Sequence, residues 1–174
     1  MAVYPLSDYQ IAITTEPEVI VVAAGFTGKE GDTWRYAIEN GRGIAFFASE
    51  FYECAVGSYA DIPITSCYLP DYKESGEYAL TVAQNSLALF TELYGPYPYR
   101  DLVVVENGFF GGMEYTSLAS ITGSAYYSYE GKANSILTVL TAHEIAHQWF
   151  YGAVGNDQVR ESWIDESIAF YSEL

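Results

Sequence analysis

Basic side chains are scarce in this chain: seven lysines and arginines stand against 23 aspartates and glutamates, for a formal net charge of −16. A surface of that sign repels phosphate backbones, which argues against DNA and RNA as partners. Long apolar runs are missing too. Stretches such as Val19 to Ala24 fall far short of the ~20 residues that a bilayer span needs, and no charged-then-apolar signal segment follows Met1. Half of the 174 residues are nonetheless hydrophobic, enough for a sizeable core, and the chain is expected to fold as a soluble globule. Internal repeats and low-complexity segments are absent from the sequence.

Cysteine occurs only twice, at Cys54 and Cys67. The two do not form a CxxC pair, and there is no spare histidine to build a second metal site with them. Two cysteines alone leave a disulfide and two buried thiols both open, and buried thiols are the expectation.

What is present falls into two textures. Up to about Tyr72 the chain alternates short apolar runs with turn residues, and residues 19–24, 34–39, 44–49 and 62–68 read as strands. Asn40, Gly41, Arg42 and Gly43 suit a hairpin between the second and third of these, since asparagine and glycine tolerate positive φ. From Ser75 to Tyr94 an apolar stripe of Leu80, Ala83, Leu87, Phe90 and Tyr94 predicts an amphipathic helix stopped by Gly95 and Pro96. Residues 102–105 and 116–122 read as two further strands, the second after a turn at Gly111 and Gly112. A tyrosine-rich loop around Tyr126, Tyr127 and Tyr129 follows, expected to pack at a surface or between domains. A long helix capped by Asn134 or Ser135 should run to about Tyr151 and close at Gly152, with a last helix from about Ser162. The fold class expected is α+β, with a β-rich segment over residues 1–73 and a second unit over 74–174. Leu174 falls inside an amphipathic pattern without a C-terminal glycine, so the chain reads as a truncated piece.

Histidine is as scarce as cysteine. Its two copies, His143 and His147, stand four apart within the long predicted helix. Side chains at that spacing share one helical face, so both imidazoles can close on one metal ion. Glu144 follows the first histidine, placed to take a proton from a water at the metal's open position. Glu166, beyond residues 148–165 and in the next helix, is the candidate third ligand. A chance HExxH arises on the order of once per few hundred chains of this size, so the pattern reads as a zinc site. A purely structural site is a poorer reading, because such sites fill all four positions with protein ligands.

The strings HEIAHQWFYG (143–152), VGND (154–157), WIDESIAFYSE (163–173) and GGMEY (111–115) resemble the aminopeptidase N-like zinc metallopeptidases, gluzincins with a glutamate as third ligand. The resemblance covers roughly residues 75–174. It implies the end of an N-terminal β-domain joined to the first, zinc-helix lobe of a thermolysin-like catalytic domain. It also implies one Zn2+ per chain on His143, His147 and Glu166, Glu144 as general base, and Glu173 buttressing a ligand histidine. GGMEY is similar to the family's GxMEN exopeptidase signature, with Tyr115 where the family has asparagine. By that likeness Gly111, Gly112, Met113 and Glu114 bind substrate, and Glu114 grips its free α-amino group. The implied activity is zinc-dependent removal of N-terminal residues from peptides. The alternatives are a non-catalytic zinc-binding relative and an endopeptidase of the same fold. The family's oxyanion-stabilising tyrosine and the far wall of its cleft lie downstream of the third ligand, so this piece alone is expected to bind zinc with weak activity or none. The remainder of the catalytic domain is the expected partner; cellular location is left open.

Overall fold

In the computed structural model, which describes residues 4–173, the first half of the chain forms seven strands. These are β1 (Ser7–Thr14), β2 (Ile20–Ala23), β3 (Phe26–Glu30), β4 (Thr33–Gly41), β5 (Phe46–Ser49), β6 (Glu53–Tyr59) and β7 (Ile62–Tyr68). The second half alternates helix and strand: α1 (Lys73–Tyr94), β8 (Leu102–Asn107), β9 (Gly112–Tyr115), β10 (Leu118–Thr122), α2 (Gly123–Tyr127), α3 (Ile136–Ala146) and α4 (Trp163–Ser172). The class is α+β, as the residue patterns implied. Among the described residues no helix is long and apolar enough to cross a membrane.

Strands β1, β4 and β3 make one antiparallel sheet and β2 pairs with β5 in a second. The hairpin expected at residues 40–43 is therefore not formed: Asn40 does take a positive φ of 53°, but the chain leaves one sheet there and enters another. Local turn chemistry announces a reversal without naming the strand that receives it.

The main sheet has five strands in the order β6-β7-β8-β10-β9, with β7, β8 and β10 parallel and the outer strands antiparallel. It takes two strands from before residue 73 and three from after it, and α1 makes the crossover between parallel β7 and β8. All six residues of β8 are buried, as a strand covered on both faces requires. Ala79, Ala83, Leu87 and Phe90 of α1 pack with Ile64, Leu102, Val104, Ile121, Leu137 and Ile145 in one apolar core. Close approach of α1 to β7 depends on Gly76, where a Cβ would fall 1.8 Å from the Tyr68 ring.

Cys54 and Cys67 correct a second expectation. They form a disulfide, because the antiparallel register of β6 and β7 sets them directly opposite with Cα atoms 4.1 Å apart. Tyr126 corrects a third: it lies in α2, fully buried in the main core, and not in a surface loop.

Candidate metal centre

Ser135 caps α3, its hydroxyl accepting from the Thr138 N–H at 3.3 Å, and the helix carries His143 and Glu144 before ending at Ala146. It stops earlier than its apolar pattern suggests. Beyond it the N–H groups of Gly152, Ala153 and Val154 reach back five residues to the carbonyls of His147, Gln148 and Trp149, so the backbone widens there. His147 keeps helical dihedrals as the capping residue, which preserves the four-residue spacing.

His143 Nε2, His147 Nε2 and Glu166 Oε2 make a triangle with edges of 3.2, 3.3 and 3.7 Å. A tetrahedral ion with bonds of ~2.0–2.1 Å holds its ligand atoms roughly 3.3 Å apart, so the residues fit a zinc-sized ion. The orientation of the rings supports the fit. His143 Nδ1–H donates to Glu173 Oε2 at 2.8 Å and His147 Nδ1–H donates to the Phe150 carbonyl at 3.0 Å. Both outer nitrogens therefore carry the proton, and the Nε2 lone pairs face each other, an arrangement that a shared cation stabilises. His147 is buried while the Glu166 side chain is half exposed, so the centre is anchored in the core and open on one side.

Glu144 is 5% exposed and its Oε2 finds no hydrogen-bond partner among the described residues. Burial pushes its carboxyl up to about 9, with further increments from Glu114, Glu166 and Glu173. Four carboxylates thus converge on one side of α3, and the positive charge of a bound metal acts in the opposite direction on Glu144.

Residues 112–115 of GGMEY form β9, at the edge of the main sheet, whereas the strand expected over 116–122 is the interior β10. Gly112 lies against Glu144, whose Oε1 leaves no room for a Cβ there. Gly111 has φ 87°, which glycine adopts freely. Alternation along the strand puts Gly112 and Glu114 on the face toward α3 and Met113 on the other, where it is 46% exposed. Glu114 is close enough to His147 and Asp165 that ligand atoms of all three lie within 4.8 Å of one another.

Several residues that the sequence reading gave no part in the site pack around it. Gln148, fully buried, accepts from the Ser117 N–H at 2.7 Å and donates to the Tyr115 carbonyl at 3.0 Å, clamping the β9–β10 turn to the segment that follows α3. Arg42, read above as a turn residue, donates from Nε to the Gly152 carbonyl at 2.9 Å and ties the β-rich part to the loop after α3. Asp165 is 1% exposed despite its charge, and its oxygens accept from Asn156 and Gln158. A buried, fully bonded carboxylate next to Glu166 is the signal that marks this last group, and only a structure displays it.

An HExxH helix whose two histidines meet a glutamate of the following helix, next to the edge strand of a mixed sheet, is the pattern of a metallopeptidase domain. The chain belongs to the family described as the Peptidase family M1 domain, whose model matches residues 78–174. It is similar to endoplasmic reticulum aminopeptidase 1 of Mus musculus, 27% identical over 138 residues, which cover 75% of this chain and 15% of that protein. Similarity to mouse aminopeptidase B is 28% over 187 residues, covering 99% of this chain and 28% of the relative. Aminopeptidase N of Canis lupus familiaris is 29% identical over 140 residues, 75% of this chain and 14% of the relative. The chain thus spans less than a third of the length of each.

Proposed function

We propose that this chain carries the zinc centre of an aminopeptidase, with the activity belonging to the protein that contains it. The triangle of His143, His147 and Glu166 donor atoms beside Glu144 is the observation that carries this reading. Zinc held there would supply Lewis acidity toward a peptide carbonyl and toward a water. Glu144 takes the proton of the attacking water and returns it to the leaving amine; the positive charge of a bound metal would hold its carboxylate ionised against the burial that raises it. Glu173 and the Phe150 carbonyl hold the two imidazoles in the ligating tautomer.

An extended peptide adds to the free edge of β9 through main-chain hydrogen bonds, passing Gly111, Gly112 and Met113. Glu114 then pairs with its α-ammonium group, a contact that blocked or internal peptide segments lack. The names of the relatives, aminopeptidases throughout those cited, support the exopeptidase reading over an endopeptidase. In this proposal residues 74–174 form the peptidase lobe and 1–73 the end of a β-domain, sewn together by the five-stranded sheet.

Metal analysis tests the reading. Purified protein reconstituted with zinc and desalted should retain about one ion per chain. Zinc at the same stoichiometry in the His143→Ala/His147→Ala double variant would overturn it.

A further inference from the structure

We propose that Gln158 is a positioning residue that sets the preference for a free amino terminus by holding Glu114, an inference that rests on the Glu114 reading above. The Gln158 side-chain amide stands between two carboxylates, its Nε2 donating to Glu114 Oε1 at 2.8 Å and to Asp165 Oδ2 at 3.0 Å. Both neighbours can only accept when ionised, so the NH2 end of the amide must face them. One hydrogen goes to each.

Asp165 is the fixed end of this bridge. It sits in the first turn of α4, next to the ligand Glu166, and its other oxygen accepts from Asn156 Nδ2 at 2.8 Å. With both oxygens engaged and the residue buried, it has no freedom to turn. The loop carrying Gln158 is held as well: the Arg160 and Glu161 N–H groups donate to the Asp157 carbonyl at 3.0 and 2.7 Å. One amide therefore registers β9, the strand with the ammonium grip, against α4, the helix with the metal ligand.

The chemistry of the bridging group matters as much as its place. Glutamine is neutral, so it separates two like charges without cancelling either, and Glu114 keeps its full charge for a ligand ammonium. It occupies only Oε1 of Glu114, leaving Oε2 for that contact. Glu114, His147 and Asp165 also meet the distance requirement for a second cation site. That use is disfavoured, because His147 Nε2 belongs to the first triad, its Nδ1 is spent on Phe150, and an amide hydrogen donor lies between the two carboxylates.

The test uses the zinc-loaded natural protein that contains this chain, an aminoacyl anilide and its N-acetyl counterpart as substrates, and calorimetric binding of an amino-acid amide. Gln158→Ala should raise KM for the free-amine anilide and weaken binding of the amide about tenfold, the order expected for loosening one charge-assisted contact. Zinc content, kcat and N-acetyl turnover should stay within about threefold. Gln158→Met, of similar length and without donors, should behave alike, which separates the bridge from loop packing. Gln158→Lys keeps a donor between the carboxylates but neutralises Glu114, and should lose amide affinity as well. Glu114→Gln is the control. Lost amide affinity in Glu114→Gln with none lost in the alanine and methionine variants overturns the positioning role alone. No loss even in Glu114→Gln overturns the Glu114 reading and this inference with it.

Discussion

Glu173 Oε2 accepts the Nδ1–H of His143 at 2.8 Å, joining two residues that stand thirty positions apart on α3 and at the end of α4. The Glu173 side chain is largely buried, so the bond is shielded from water and fixes the ring that presents Nε2 to the triad. Glu173→Ala should weaken zinc affinity about 10–100-fold while leaving far-ultraviolet circular dichroism unchanged. Competition against a chromophoric chelator measures this, and an affinity within twofold of the parent would remove Glu173 from the centre.

Gly112 faces Glu144 with no room for a methyl group. Gly112→Ala should push the glutamate off its position without touching a ligand. Zinc content should hold near one per chain and hydrolysis by the protein containing the chain should fall on the order of 100-fold, the cost of a misplaced catalytic group. Full activity in this variant would show that Glu144 has slack the structure does not display.

The Cys54–Cys67 bond closes a short loop across β6 and β7. By loop-closure entropy its removal should cost about 3 kcal/mol. Urea denaturation of the Cys54→Ser/Cys67→Ser variant should show a lower midpoint, and the parent should shift the same way on adding a reductant. Coincident transitions with and without reductant would contradict a stabilising role.

Glu106 is buried at the end of β8, and burial raises its carboxyl above the ordinary 4.5, partly offset by the Leu69 N–H that donates to it at 2.8 Å. A carboxyl whose folded value exceeds its unfolded one binds more protons when folded. Its stabilising share is present below 4.5 and is lost as pH rises through the folded value. Glu106→Gln should therefore gain stability relative to the parent on going from acid toward neutral pH, read from denaturant midpoints across that range. A pH-independent difference would exclude the linkage.

Much of the centre was legible because its parts are local. The four-residue spacing of His143 and His147 and the place of Glu144 beside them need only helical periodicity, whereas the approach of Glu166 depends on how α4 packs on α3. The helix over Ser75 to Tyr94 and the apolar strand at 102–105 were equally readable, and α1 and β8 occupy those stretches. Strands β1, β3 and β6 have no apolar run to announce them: β3 is mostly exposed, and in β1 and β6 half-buried and exposed positions alternate.

What no local pattern carried was pairing. That Cys54 faces Cys67, that GGMEY is an edge strand with Gly112 against Glu144, and that Gln158 bridges Glu114 to Asp165 depend on contacts made after the chain has folded back. The sequence by itself determined that His143 and His147 share one helical face, because helix geometry acts over four residues. Only the tertiary structure decided how Glu114, Glu144 and α4 stand together, because those distances are set by sheet order and loop path across tens of residues.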